Sequence, residues 1–152
     1  MAAQLWLLRH GEAEPHAADD FSRDLTPRGE DQSRSAGRAL AALDMAFHAV
    51  YTSPRIRARR TAQLACEALG VEPIVHEPLA GGFDAGDARE LLLGGEDQRI
   101  MVVGHNPDFA QVVYDFTGAR VDFKKGGVAG VRERELIVLL RPRELERIAA
   151  GA

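Results

Sequence analysis

Short apolar runs alternate along the chain with segments whose apolar residues recur every three or four positions, which is the layout of an α/β domain. Residues 4–8 predict a first strand that delivers Arg9 and His10 at its C-terminal end. A polar loop follows to Leu25, and Gln32, Ala36, Ala39, Leu40 and Leu43 then repeat at helical spacing, predicting a helix over about residues 27–43. Residues 47–52 predict a second strand. In the next helix, residues 54–69, Ala58, Ala62, Ala65 and Leu69 make the core face with Cys66 beside it. Residues 73–77 suit a short strand, and Ala88, Leu91 and Leu92 mark a short helix after the glycine-rich loop 80–86. Residues 99–103 are a near-continuous apolar run, as expected of a strand buried on both faces, and they lead into Gly104 and His105. Phe109, Val112, Val113 and Phe116 predict a further helix, residues 128–131 and 136–140 a hairpin, and residues 142–148 a terminal helix.

Three of these helices share one expected start. Thr26-Pro27, Ser53-Pro54 and Asn106-Pro107 each put a capping side chain directly before a proline at the first helical position. Two of the three follow predicted strands, so they fall with His10 at the end of the sheet where α/β proteins bind ligands.

Composition changes this picture little. The chain has 152 residues, 45% of them apolar and 28% charged, with a net charge of −4, which is ordinary for one globular domain. The lone cysteine, Cys66, excludes an intramolecular disulfide and a multi-cysteine metal site; on a helical core face it reads as a small buried hydrophobe. No apolar run reaches the ~20 residues of a membrane span, and the N-terminus turns charged too early for a secretory signal, so a cytoplasmic protein without membrane contact is expected.

Charge placement is more telling. Arg55 and Arg57 fall in the first turn of the second helix, where the macrodipole disfavours a cation by roughly 0.3–1 kcal/mol. An anion would remove that conflict. Because Arg59 and Arg60 continue the run, a solvated basic face is the plainer alternative; a nucleic-acid patch would need interleaved aromatics, which are missing, so no nucleic-acid partner is expected. His10 and His105 are then two imidazoles at one sheet edge, beside the guanidiniums of Arg9 and Arg57. Such a set suits a phosphoryl group, since guanidinium offers paired donors to phosphate oxygens and keeps its charge. No acidic partner stands at ligand spacing from either histidine, so no metal is expected. Gly81, Gly82 and Gly86 are not followed by the lysine of a phosphate-binding loop.

The segments LRHGEA at 8–13, RDLTPRG at 23–29, TSPRIRARRTAQ at 52–63 and VVGHNP at 102–107, with KGGVAGV and LLRPREL near the C-terminus, carry a family resemblance. In this order and spacing they resemble the histidine phosphatase superfamily, and in particular its short SixA-like branch of phosphohistidine phosphatases, from residue 7 to about residue 145. The resemblance implies a phosphoglycerate-mutase-like three-layer α/β sandwich, with a mostly parallel central sheet and helices on both faces. It implies a single domain over 1–152 without a cap insertion, and no cofactor. His10 matches the nucleophile that takes the phosphoryl group; Arg9, Arg57 and His105 match the groups that bind and stabilise it. The arginines are expected to keep His10 neutral.

One departure matters. Many members of the family carry a glutamate that protonates the leaving oxygen, whereas here the corresponding segment runs Glu77-Pro78-Leu79-Ala80-Gly81-Gly82-Phe83-Asp84. Asp84 and Asp87 are the nearby substitutes. An imidazole leaving group, pKa ~6.5, departs without the proton that an alkoxide needs, so the missing acid favours a P–N substrate. The expected partner is therefore a phosphorylated protein of the histidine-phosphotransfer type. A broad-specificity phosphatase of small phosphate esters and a phosphate-recognition module without turnover are the alternatives. His16, Glu12 and Glu14 could edge the mouth of the site, and Lys124 and Lys125 could hold an acidic partner; each also reads as a solvated loop residue. His48 and His76 read as structural.

Overall fold

The computed structural model describes residues 2–95 and 97–151. Its elements are β1 (Gln4–Arg9), α1 (Pro27–Ala42), β2 (Ala49–Thr52), α2 (Ile56–Leu69), β3 (Ile74–Val75), α3 (Ala85–Leu91), β4 (Arg99–Gly104), α4 (Asp108–Thr117), β5 (Val128–Arg132), β6 (Glu135–Leu140) and α5 (Pro142–Ala150). The strands form one six-stranded sheet in the order β3-β2-β4-β1-β5-β6. β3, β2, β4 and β1 are mutually parallel, and β5 runs antiparallel to both β1 and β6.

Side-chain alternation along β1 explains the layers. Trp6 and Leu8 point into one apolar cluster with Leu40 of α1, Ala58 and Ala62 of α2 and Leu145 of α5. Leu5 and Leu7 point into the other, with Ala88 of α3, Phe109 and Val112 of α4, and Phe123. All four strand residues are at most 4% exposed. Each fully buried leucine contributes about 1.5–3 kcal/mol of apolar burial, so β1 is heavily anchored on both faces. Met101 and Val103 against Val102 repeat the same division in β4. The fold is thus a three-layer α/β sandwich, as expected.

Two local features differ from the sequence reading. Thr26 caps α1 as expected, its side chain accepting from the Gly29 N–H with Pro27 in the first turn. At Ser53-Pro54 the helix instead begins at Ile56, with Arg55 at the N-cap and no side-chain cap. Ser53 still accepts from the Arg55 N–H at 3.2 Å, so it turns the chain without opening the helix. At Asn106-Pro107 the proline is the N-cap of α4, one position earlier than expected, and the Asn106 side chain accepts from the Ala110 N–H at 3.1 Å.

α1 and α2 meet at backbone contact. A Cβ on Gly37 would stand 2.1 Å from the Ala65 carbonyl oxygen, so only glycine lets the two helices lie this close. The C-terminal helix α5 packs on the same layer through fully buried Leu145, with Ile148 and Ala149 partly covered. Among the described residues no helix is long and apolar enough to cross a membrane.

β1 and β4 are neighbours, yet the chain leaves β1 toward α1 on one face and leaves β4 toward α4 on the other. Divergence of this kind opens a crevice at the carboxyl ends of the two strands.

Candidate active site

Three strand ends converge on that crevice. Arg9 of β1 pairs in register with Gly104 of β4, and the His10 N–H donates to the Gly104 carbonyl at 3.0 Å. The Ser53 N–H, after β2, donates to the Val103 carbonyl at 3.0 Å. The sheet thereby fixes His10, His105 and Ser53 side by side, and the two imidazole rings lie 5.3 Å apart.

Hydrogen bonding sets the state of His10. Its Nδ1 is 2.7 Å from the Gly11 carbonyl oxygen. A carbonyl can only accept, so Nδ1 carries the hydrogen and Nε2 keeps its lone pair. Gly11 is itself held: its N–H donates to Thr61 Oγ1 at 3.1 Å, and that hydroxyl donates to the Arg57 carbonyl at 2.8 Å. A Cβ on Gly11 would stand 2.6 Å from the Gly29 carbonyl oxygen, so the turn after β1 lies directly on the start of α1. Thr61, fully buried, was not singled out by the sequence; a threonine inside a helix carries no signal of its partner.

Both histidines are neutral at ordinary pH. Burial pushes His10 down to about 3, opposed by the Gly11 hydrogen bond and reinforced by His105, Arg57 and Arg9. His105 is pushed down to about 4, first by burial and then by Arg57 and Arg55. The sequence reading gave the arginines the main part; desolvation in fact comes first, because the rings sit under the sheet edge at 6% and 8% exposure.

The guanidiniums frame the crevice. Arg9 Nη1 donates to the Phe123 carbonyl at 2.6 Å, while its Nε is buried without a partner. His105 Nε2 is 2.8 Å from Ser53 Oγ, and its Nδ1 is the other buried polar side-chain atom without a partner among the described residues. Arg57, 8% exposed, donates from Nη1 to the Asp20 carbonyl at 2.8 Å and from Nη2 to the Asp20 carboxylate at 3.2 Å. Arg55 and Arg23 reach the same carboxylate at 2.8 and 3.0 Å. The Arg23 hydrogen bond first, then Arg57 and Arg55, hold Asp20 below the usual carboxylate range.

The pattern of the histidine phosphatase superfamily (branch 1) matches residues 5–93, more than half of the chain. The chain belongs to the histidine phosphatase superfamily. An uncharacterized protein of Picosynechococcus sp. is 33% identical over 93% of this histidine phosphatase and 98% of its own length. A 2,3-bisphosphoglycerate-dependent phosphoglycerate mutase of Methylobacterium radiotolerans is 38% identical over 60% of this chain but only 46% of the mutase, so the chain spans about half the length of that relative. Among solved structures, the protein histidine phosphatase SixA complexed with tungstate superposes with a TM-score of 0.83 at 25% identity, over 93% of this chain and 99% of that one.

The remaining candidates of this histidine phosphatase divide clearly. Asp84 and Asp87 cap α3 reciprocally, each carboxylate accepting from the other's N–H, and both are committed to that helix start. Among the described residues no hydrogen bond or ion pair joins either to His10, Arg9, Arg57 or His105. Glu12 pairs with Arg28 at 3.3 Å. The Glu14 carbonyl accepts from Arg23, and His16 lies exposed beside Asp19 and Asp20. His48 Nδ1 accepts from the Arg99 N–H at the far end of β4; the His76 ring packs on Tyr51 and its backbone N–H donates to the Thr52 carbonyl at 2.8 Å, next to Ser53. Burial pushes the Cys66 thiol up to about 11, as suits an inert core residue.

Proposed function

We propose that the chain is a metal-independent phosphatase that forms a phosphohistidine on His10 and removes phosphate from phosphohistidine on a protein. It would act as one uncapped domain over 1–152. The observation that carries this reading is His10 with Nδ1 locked on the Gly11 carbonyl and Nε2 free, in a crevice lined by Arg9, Arg57 and His105.

The lone pair on Nε2 attacks phosphorus in line with the leaving group. The Nε2–P bond forms as the bond from phosphorus to the substrate nitrogen breaks, and the substrate ring, already protonated on its other nitrogen, keeps the electron pair and departs as neutral imidazole. Arg9 and Arg57 balance the charge spread over the equatorial oxygens. Arg9 Nε and His105 Nδ1, buried and unpartnered, are positioned for phosphoryl oxygens to satisfy them. Water then attacks phosphorus, the Nε2–P bond breaks with its pair returning to Nε2, and inorganic phosphate leaves. Two features support a P–N substrate. The carboxylate nearest the arginines, Asp20, is held ionised and is unsuited to donate a proton; Asp84 and Asp87 are occupied in capping. A phosphohistidine ring takes its proton on the second nitrogen from solvent, with pKa ~6.5, and then leaves as neutral imidazole without such an acid.

A small-molecule phosphomonoesterase is the second reading, favoured by the likeness to mutases of phosphoglycerate. One experiment separates them. The purified protein is incubated, with a metal chelator present, with a phosphohistidine-bearing histidine-phosphotransfer domain and with an aryl phosphate, beside His10→Ala. Release from the phosphodomain, lost in the variant, is expected; faster release from the ester reverses the order of the two readings. Silence on both overturns the enzyme reading in favour of a phosphate-recognition module.

A further inference from the structure

A second hollow opens next to the crevice. It has a volume of about 450 Å³, is open to solvent, and is lined by Arg9, Arg28, Lys124, Lys125, Arg141 and Arg143, with Asp122 as its one acid. Six cations meet here in a chain whose net charge is −4. They come from four separate places in the sequence: the end of β1, the first turn of α1, the turn before β5 and the start of α5.

The backbone ties this hollow to the nucleophile. The Gly126 N–H donates to the Arg9 and His10 carbonyls, both at 3.0 Å, and the Arg9 N–H donates to the Gly127 carbonyl at 3.1 Å. Arg9 Nη1 donates to the Phe123 carbonyl. The turn that carries Lys124 and Lys125 is thus bonded to the backbone of Arg9 and His10, and Arg9 belongs to both cavities.

Exposure decides what fits. Arg28, Lys124 and Arg141 have side chains 70%, 54% and 59% exposed, and their pairings with Glu12, Asp122 and Glu144 are surface ion pairs that exchange at little cost. Lys125 and Arg143 have no ion pair among the described residues. A small anion is held by enclosure within convergent groups, whereas an open rim of flexible cations raises the encounter rate with a large, oppositely charged surface.

We propose that this basic hollow docks an acidic patch on the phosphorylated protein, seating its phosphohistidine against His10. The proposal rests on the phosphoprotein reading above. It goes further by naming the surface and the charge of the partner around the phosphorylated side chain.

The test uses the full chain and the double variant Lys125→Glu/Arg143→Glu, neither residue being part of the catalytic crevice. Substrates are a histidine-phosphotransfer domain with acidic residues around its phosphohistidine, an aryl phosphate and a bisphosphorylated sugar. For the phosphodomain, kcat/KM is expected to fall about tenfold or more in the variant, and to fall in the wild type between ~20 and ~300 mM salt. Aryl phosphate turnover is expected to stay within about twofold in both comparisons, which also shows that the variant folds. Phosphodomain turnover indifferent to salt and to the variant overturns the docking surface alone. Equal loss on the aryl phosphate overturns it too, since the hollow then acts on the phosphoryl group itself. A bisphosphorylated sugar that outpaces the phosphodomain and loses rate in the variant assigns the hollow to a small polyanion instead. Wild-type turnover of aryl phosphate with none of the phosphodomain removes the phosphoprotein reading and the docking surface with it.

Discussion

Asp20 resolves a conflict that the arginines of α2 create. The first turn of that helix carries cations where the macrodipole disfavours them, and it has no side-chain cap. The loop after β1 supplies what is missing: the Phe21 carbonyl accepts from the Ile56 N–H, and the Asp20 carboxylate sits against Arg55 and Arg57. That an anion belongs there could be reasoned from the arginines alone; that this chain provides one itself could not. Asp20 is 37 residues from Arg57 and lies in a loop without periodicity. The four motif residues were legible because each ends a strand or opens a helix within a recognisable string. On the proposed mechanism, the carboxylate occupies a donor of Arg57 that the phosphoryl group takes over. Asp20→Asn keeps the backbone carbonyl contact and removes the charge, so inorganic phosphate should inhibit at a concentration about two- to fivefold lower, the equivalent of an exposed ion pair's ~0.5–1 kcal/mol. Weaker inhibition would show instead that Asp20 holds Arg57 in place. On the proposed mechanism Arg57 balances the charge of the transferring group, so Arg57→Ala should lower kcat by about 100-fold or more, measured on aryl phosphate.

At the scale of elements, the alternation of apolar runs made the strands and helices visible, because each except β3, whose Ile74 and Val75 are exposed, buries a face and the face sets the period. Boundaries were less visible where two roles compete for one residue. Ser53 reads as a helix cap, yet its hydroxyl serves the Arg55 N–H and His105, so α2 starts later than the serine-proline pair suggests. The closeness of α1 to α2 was also hidden, since Gly37 within a helix looks merely like a weak helix former. In the structure it is the contact point. Gly37→Ala improves helix propensity by up to ~1 kcal/mol but drives a methyl into the Ala65 carbonyl, so the net effect should be destabilising by about 1–3 kcal/mol. Urea unfolding followed by circular dichroism measures this, and a stabilised variant would show that the helices part freely.

For the whole molecule, the two buried imidazoles couple folding to pH. In the folded chain they titrate near 3 and 4, whereas in the unfolded chain both take their proton near ~6.5. Between those values the unfolded state binds more protons, so stability falls as pH drops from about 6.5 toward 4 and gains nothing above it. Carboxylates titrate in the lower part of the same range, so the comparison is made between proteins. The urea midpoint of His105→Asn should decline less between pH 7 and pH 5 than that of the wild type; equal slopes would mean that His105 is hydrated.

His10, the proposed nucleophile, stands at the end of the strand whose alternate side chains feed both apolar clusters. Amide exchange gives that placement a time axis. The N–H groups of Leu5 to Leu8 can meet solvent only when the sheet itself comes apart, so they should exchange at the rate of global unfolding. Those of residues 15–22, exposed and outside regular structure, should exchange through small local openings. One wall of the crevice therefore persists for as long as the protein is folded, while the wall that carries Asp20 can open and close many times within that lifetime. On the proposed mechanism, a phosphoryl group would displace Asp20 from Arg57 without disturbing the His10 nitrogen that attacks it.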